Sequence, residues 1–240
     1  MRHCEIAKLA DLENGHWWYA ERRHVLGRQL KRLGRPRPGD RALDIGAAAG
    51  GNTTVLERHG WSVVAADLST TAVGLAHDRG VRVLNADIRS LPLQSDSVRL
   101  VTALDVLEHV REDDDAIGEI TRVLQPGGTA VITVPASMAL WSKHDEAVGH
   151  VRRYSQEQLL TLVAGAGLQV ARVWSWNVLL RPVVALRRRR SSGSDLDRMP
   201  SLLNLGLRAI VAIERVLPVG TLPGVSLVLV ARKPARPHRG

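Results

Sequence analysis

The sequence predicts an α/β protein built on a doubly wound, mostly parallel sheet with helices on both faces. Short apolar runs that suit buried strands alternate with helix-like segments between residues 41 and 135. Five strands alternating with helices over about a hundred residues indicate parallel strands joined by crossover helices. At 240 residues, the chain is long enough for one such domain, which buries roughly 70% of its unfolded surface.

The first strand and the turn that follows it are the centre of this prediction. Ala42, Leu43 and Ile45 form an apolar run, and Gly46 to Gly51 are all small residues that lead into a helix. Small residues at a strand-to-helix turn let a ligand approach the backbone, and the amides of the helix start point toward it. A glycine-rich turn without a ligand is the alternative.

Asp44, near the carboxyl end of this strand, favours one class of ligand. A carboxylate there would repel the pyrophosphate of a dinucleotide and attract a ligand with an ammonium group and a sulfonium. The nicotinamide fingerprint G-x-G-x-x-G fits poorly because Ala48 breaks it and Asp44 opposes it.

The later strands end in polar residues that suit a nucleoside. The predicted strands are Trp61–Ala66, Val81–Asn85, Val98–Leu104 and Thr129–Val134, and a helix is expected over Asp114–Leu124. Asp67, after the second strand, can accept hydrogen bonds from ribose hydroxyls or cap the next helix. Asp87 can accept the adenine amino group while Ile88 covers a face of the ring.

Several motifs resemble the type 11 branch of class I S-adenosylmethionine-dependent methyltransferases. They are Asp44-x-Gly46-x-Ala48-x-Gly50, Asp67-Leu-Ser, Ala86-Asp87-Ile88, Val106-Leu-Glu-His-Val110 and Arg122-Val-Leu-Gln-Pro-Gly-Gly128, in the order and spacing of that family. Ala48 departs from the family's middle glycine, so the backbone would lie slightly farther from the cofactor. The resemblance implies a Rossmann-like, seven-stranded sheet with an antiparallel last strand.

The resemblance also implies S-adenosyl-L-methionine as cofactor and S-adenosyl-L-homocysteine as product. Asp44, Gly46 and Gly50 would hold its methionine part, Asp67 and Leu68 the ribose, and Asp87 and Ile88 the adenine, with Ala103 and Leu104 beside the sulfur. We also assign Ala48, Asn52 and Thr53 of the turn and helix start, and Trp18 and Tyr19 of the amino-terminal segment, to the cofactor site.

The acceptor site is predicted in the polar loop after the fifth strand. His150 is the favoured proton acceptor and His144 the second candidate, with Asp145 orienting an imidazole. Trp141, Arg153, Tyr154 and Trp176 are assigned to acceptor binding. The alternatives are that the loop only anchors the helix capped by Ser155, and that the aromatic residues only fill gaps.

Asp105, Glu108 and His109 offer a different chemistry. Their pattern is similar to the acidic and histidine positions of ubiquinone-pathway O-methyltransferases, where a divalent metal can assist. Glu-His also occurs at this position in many type 11 relatives without a known metal role, so the prediction is that no metal is bound.

The chain is divided into four parts. Residues 1–38 form a helical cap, 39–176 and 225–232 the core, 177–224 a helical lid insertion, and 233–240 a basic flexible tail. The core includes a sixth strand from Gln169 to Val173 and a last strand from Val225 to Val230. The insertion's apolar helix and Arg187 to Arg190 could cover an apolar acceptor, contact an anionic lipid surface or support a dimer.

Composition limits the remaining classes. Cys4 is the only cysteine, and the sequence shows neither a membrane span nor a secretion signal, which predicts a reducing cytoplasm. The net charge of +9 suits nucleic acid, but Asp105-Val-Leu-Glu replaces the turn that receives a base in nucleic-acid methyltransferases. We therefore predict a small-molecule O-methyltransferase, either monomeric or homodimeric. The alternatives are N- or C-methylation of a small or lipid-linked acceptor, nucleic-acid methylation, and a non-enzymatic cofactor-binding scaffold.

Overall fold

A computed structural model describes residues 12–13, 15–190 and 200–236, with the side chains of Arg189 and Arg190 outside the description. Several predictions therefore lie outside the described residues: the start of the amino-terminal helical segment, Cys4, residues 191–199 of the lid insertion and the end of the basic tail. No helix in the described ranges is long and apolar enough to cross a membrane.

The sheet has the predicted seven strands. They are β1 Arg41–Ile45, β2 Ser62–Asp67, β3 Val83–Asn85, β4 Val98–Leu104, β5 Leu124–Pro135, β6 Gln169–Trp176 and β7 Ser226–Arg232. Their order is β3-β2-β1-β4-β5-β7-β6, and β7 runs antiparallel to both of its neighbours while the other pairs are parallel. The mostly parallel sheet with an antiparallel last strand is thus confirmed.

Helices cover both faces of the sheet. They are α1 Trp17–Leu33, α2 Gly51–Arg58, α3 Thr70–Asp78, α4 Asp113–Val123, α5 Lys143–Val148, α6 Gln156–Gly165, α7 Arg181–Arg190 and α8 Ser201–Glu214. One buried cluster packs α4 and α6 against the sheet, and a second packs α1 and α2 against its other face. Strand β1 is buried over its last four residues because both faces are covered, as expected for a central parallel strand.

Two boundaries differ from the prediction because of packing rather than local propensity. The fifth strand begins at Leu124, before Pro126-Gly-Gly128, because the backbone of Gly127 and Gly128 exchanges hydrogen bonds with that of Lys233. The sixth strand continues to Trp176 because β7 pairs with its whole length. Long-range pairing therefore extends both strands beyond their apolar runs.

Helices α1, α7 and α8 form a cap over the carboxyl edge of the sheet. A small apolar cluster of Trp17, Leu180 and Val211, with Val184 of α7 packed against it, joins the three helices. The backbone N–H of Trp17 donates to Asn204 Oδ1 over 2.8 Å, and Arg215 forms an ion pair with the buried carboxylate of Glu21. The cap thereby joins the amino-terminal helix to the segment between β6 and β7.

Candidate functional site: a cavity at the carboxyl edge of the sheet

A cavity of about 960 Å³ lies between the cap and the carboxyl ends of the parallel strands. The strand order reverses between β1 and β4, and α/β sheets bind ligands where this reversal opens a crevice. Of the predicted site residues, the lining includes Trp18, Tyr19, Gly46, Ala48, Asp67, Leu68, Asp87, Ile88, Leu104, Asp105, Glu108, His109, His144, His150 and Arg153.

The turn after β1 brings backbone to the cavity wall. Gly46 has φ +66°, and a Cβ atom built on it would lie 2.5 Å from Val106 Cγ2, so only glycine fits without displacing a neighbour. Ala48 also has a positive φ of 48°, and its N–H donates to Asp67 Oδ2 over 2.9 Å. The alanine at the family's glycine position is thus accommodated in a left-handed backbone conformation.

Asp44 does not face the cavity. Its carboxylate is fully buried and accepts hydrogen bonds from the hydroxyls of Thr53 and Thr102, each over 2.7 Å. Burial raises its pKa to about 6, although the two hydroxyls oppose this shift. This arrangement corrects the expectation that Asp44 meets the positive charge of the ligand, because the side chain instead ties β1 to β4 and to helix α2.

Asp67 lies beside the cavity but does not cap the next helix, whose N-cap is Ser69, and its bond to the ribose stays a prediction. Its Oδ1 accepts the N–H of Ser69, and its Oδ2 accepts the N–H of Ala48, so it fixes two turns while its side chain lines the cavity. The adjacent Leu68 is 68% exposed and lines the cavity, so a ligand bound there would contact it.

Asp87 and Ile88 form the wall at the end of β3. Ile88 is buried and can cover a ring face, as predicted. Asp87 receives hydrogen bonds from the backbone and guanidinium of Arg89, and those bonds lower its pKa. Its bond to an adenine amino group therefore remains a prediction.

The amino-terminal helix contributes Trp18, Tyr19 and Arg22. Arg22 lies 5.1 Å from the Tyr19 ring centroid and donates to Asp105 Oδ2 over 3.2 Å. Burial raises the pKa of Tyr19 to about 12, so its hydroxyl remains protonated and can donate. The helix thus adds an aromatic and charged wall above the ends of β1 and β4.

A hydrogen-bond network holds His150 at the acceptor side. Its Nδ1 lies 2.8 Å from Asp145 Oδ1, and the same oxygen accepts from Arg153 Nε over 2.8 Å. Burial would raise the pKa of Asp145, but the bond from His150 and the charges of Arg153 and Arg188 outweigh it and hold this pKa well below its usual range. An ionised carboxylate only accepts, so His150 donates through Nδ1, and a neutral imidazole in this position has its lone pair on Nε2.

Other predicted residues do not lie in the cavity lining of the described structure. The Tyr154 hydroxyl donates to Asp113 Oδ2 over 2.7 Å, and Trp176 packs on Trp18 with ring centroids 4.9 Å apart, so both hold the wall from behind. These positions correct the assignment of Tyr154 and Trp176 as direct acceptor contacts. The same placement outside the lining applies to Gly50, Asn52, Thr53, Ala103, Trp141 and Asp145.

The cavity also has residues that the sequence reasoning missed. Glu13 and Arg22 line it from the cap, and Leu180, Val183, Val184 and Leu207 form an apolar end beneath α7 and α8. The spacing of the apolar residues in α7 and α8 could have indicated one covered face, but nothing in the sequence pairs Arg22 with Asp105.

The arginine block is split between surface and interior. Arg188 donates to the Leu140 carbonyl over 2.8 Å and to Asp145 Oδ2 over 3.2 Å, so it does not face outward. Contact of Arg187 to Arg190 with an anionic lipid surface stays a prediction.

Comparisons with known proteins match part of the chain to methyltransferases. Residues 43–132 match the family described as "Methyltransferase domain". A demethylmenaquinone methyltransferase of Clavibacter sepedonicus is 40% identical over 102 residues, covering 40% of this chain and 42% of that protein. A "Probable S-adenosylmethionine-dependent methyltransferase" of Mycobacterium tuberculosis is 27% identical over 163 residues, covering 66% and 58%.

Solved structures agree on the fold. Phosphoethanolamine N-methyltransferase 2 of Haemonchus contortus, in complex with S-adenosyl-L-methionine, superposes with a TM-score of 0.62 at 22% identity, covering 89% of this chain and 52% of that one. This chain spans between 42% and 58% of the length of the two curated relatives above.

The matched residues, the sheet order and the cavity at its switch point are those of the class I S-adenosylmethionine-dependent methyltransferase fold. The matched segment, residues 43–132, carries the motifs that resemble the type 11 branch. S-adenosyl-L-methionine is accordingly the cofactor, and the small-residue turn, Asp67 and the exposed Leu68 fit it.

Proposed function

We propose that the protein transfers a methyl group from S-adenosyl-L-methionine to an oxygen atom of a small molecule. The cavity carries the proposal, because 960 Å³ is at the upper end of the roughly 300–1,000 Å³ range of ligand pockets. It therefore has room for a nucleoside cofactor and a second molecule.

The cofactor side would bind and orient. When bound, S-adenosyl-L-methionine supplies an electrophilic methyl group on a positively charged sulfur. Asp67 presents a carboxylate that is already fixed by two backbone N–H groups, and Gly46 lets the ligand approach the main chain. Trp18 and Tyr19 add aromatic rings that attract a cation and exclude water.

The acceptor side would remove a proton. His150 Nε2 carries a lone pair because Asp145 holds the proton on Nδ1, so the imidazole can accept the proton of a hydroxyl acceptor. His144 also lines the cavity, with its ring 6.3 Å from that of His150. It remains the second candidate base.

The apolar end of the cavity favours an acceptor with an apolar part. Leu180, Val183, Val184 and Leu207 line this end, and Leu202, Leu205 and Val216 of the same insertion are 85%, 64% and 82% exposed. Together with the demethylmenaquinone methyltransferase relative, these residues support a second candidate, carbon methylation of a lipid-linked acceptor.

The test combines binding and product analysis. Calorimetric titration with S-adenosyl-L-homocysteine should show one binding site, which a scaffold without cofactor function need not have. Cofactor carrying a ¹³C-methyl group is then incubated with the protein and with fractionated small-molecule, lipid and nucleic-acid extracts. The methyl chemical shift of the product distinguishes transfer to oxygen, nitrogen and carbon.

Variants assign the base once a product is found. His150→Gln should lower turnover by about 10²- to 10⁴-fold, which is the usual contribution of a general base. Its affinity for S-adenosyl-L-homocysteine should not change. His77→Gln, on the exposed side of α3, is the matched control. Near-native turnover of both His150→Gln and His144→Gln would exclude a histidine base.

A further inference from the structure

Glu108, His109 and His150 meet at the polar wall of the cavity. Glu108 and His109 belong to a helical turn, Leu107–His109, just after β4, and His150 follows α5. One potential ligand atom from each of the three residues lies within 4.8 Å of the others. His150 Nε2 is 3.8 Å from Glu108 Oε1, and the two imidazole ring centroids are 4.8 Å apart.

Glu108 is in an unusual state for a buried carboxyl group. Its side chain is 1% exposed, and neither carboxyl oxygen has a hydrogen-bond partner among the described residues. A buried charged or polar group without a partner is costly, and in native proteins it commonly marks a missing water, ion or ligand. Glu108 is one of the residues that line the cavity, so these oxygens lie close to its wall.

Both histidines are held so that a ring nitrogen lone pair is available. His150 Nδ1 donates to Asp145 Oδ1 over 2.8 Å. His109 Nδ1 lies 3.1 Å from the Gly149 carbonyl oxygen, which can only accept, so His109 also carries its lone pair on Nε2. Metal-binding histidines are typically fixed in this way, by a carboxylate or a backbone carbonyl on the other nitrogen.

The other carboxylates around the cluster are already paired with arginines, so Glu108 is the acidic group that can bind a cation. Arg22 is paired with Asp105, and Arg153 and Arg188 with Asp145. Asp105 is further engaged by the Thr133 hydroxyl over 2.8 Å. The residue set therefore differs from the one the sequence suggested, since Asp105 is committed elsewhere and His150, from a distant loop, takes its place.

We propose that Glu108, His109 and His150 form a binding site for a divalent transition-metal ion such as Zn²⁺ or Mn²⁺. Two imidazole nitrogens and one carboxylate, with remaining positions open to the cavity, suit these ions. Ligand atoms at about 2.1 Å from one tetrahedral ion lie about 3.4 Å from one another, so the observed spacing of up to 4.8 Å must contract by about 1 Å on binding.

The effect of the ion on catalysis rests on the proposed function, whereas the binding of the ion does not. An ion on this wall would favour the deprotonated form of a hydroxyl acceptor, and His150 would then be a ligand rather than the base. Binding of the ion itself requires neither cofactor nor acceptor, so it can be measured when both are absent.

The experiment is a metal titration of tag-free, chelator-treated protein. Calorimetry with Zn²⁺, and electron paramagnetic resonance with Mn²⁺, should show one ion bound at micromolar or lower concentration. Glu108→Gln and His109→Gln should each weaken binding by more than about 100-fold, beyond the 10- to 100-fold loss typical of a residue that only orients a ligand.

Control variants separate this site from adventitious binding. Glu146→Gln and His77→Gln change exposed side chains of the same types outside the cluster and should bind the ion as the unmodified protein does. Urea unfolding shows whether each variant is folded, and titration with S-adenosyl-L-homocysteine shows whether it retains the cofactor site. Folded Glu108→Gln and His109→Gln proteins with unchanged ion affinity, or no ion bound by the unmodified protein, would overturn the proposal while leaving the methyltransferase function intact.

Discussion

Asp44 gives a prediction whose sign and size both follow from its surroundings. In the folded protein its pKa is raised from 3.8 to about 6, because burial disfavours the charged form more than the Thr53 and Thr102 hydroxyls favour it. Between these two values the folded state keeps a proton that the unfolded state has released, so stability falls as pH rises. Above about pH 6, Asp44 is ionised in both states and the loss of folding stability is complete.

The expected loss is on the order of 3 kcal/mol, since the pKa is raised by about two units and each corresponds to about 1.4 kcal/mol. Asp44→Asn removes the titration while keeping the size of the side chain, and the Thr102 hydroxyl can turn to the Leu43 carbonyl at 3.4 Å. The free energy of unfolding in urea should therefore favour the variant increasingly from pH 4 to pH 7.

Asp96→Asn supplies a control of opposite sign. Hydrogen bonding to Lys233 lowers the pKa of Asp96, so its stabilisation is present above the usual aspartate pKa and is lost as pH falls. A difference between the unmodified protein and Asp44→Asn that does not vary between pH 4 and pH 7 would refute the reasoning. It would show that Asp44 is solvated or ion-paired in solution.

Three further variants test other contacts. Gly46→Ala should lower the free energy of unfolding in urea by about 2–4 kcal/mol and weaken binding of S-adenosyl-L-homocysteine, because an alanine with positive φ would clash with Val106. Adding Val106→Ala should restore part of the stability and part of the binding. Tyr154→Phe should cost about 1–3 kcal/mol of stability without abolishing cofactor binding, because the buried contacts of its hydroxyl with Asp113 and the Leu107 carbonyl are lost. Arg188→Met should lower turnover with the identified acceptor and alter the pH profile of turnover, because Arg188 contacts the Asp145 carboxylate that orients His150. The affinity for S-adenosyl-L-homocysteine should stay the same.

Much of the fold could be predicted because burial dictates local sequence. The strand β4 has the predicted bounds, since its apolar run is buried on both faces and flanked by turns. The helix capped by Ser155 is also confirmed, because Ser155 and Gln158 exchange the two hydrogen bonds of a capping box. Strand ends near Pro126 and Trp176 could not be read locally, because they depend on pairing with a strand far along the chain.

The sequence predicted where the site lies better than it predicted which side chains face the cavity. Asp67, Ile88 and His150 reach the cavity because the carboxyl ends of parallel strands share one edge, which the strand pattern alone establishes. The direction of a side chain is a different matter. Asp44 and Tyr154 occupy the expected region but point toward hydroxyl and carboxyl partners in the interior, and those partners are distant in sequence.

The cap has a consequence for how the protein is made. The bond between Trp17 and Asn204 joins residues 187 positions apart, and the ion pair of Arg215 with Glu21 spans a comparable stretch. A ribosome must therefore have translated nearly all of the chain before these contacts can form, whereas the pairing of β1 with β2 and β4 needs less than half of it. The first strands of the sheet can thus pair early in synthesis, whereas the chamber closes, and β7 completes the sheet, only near its end.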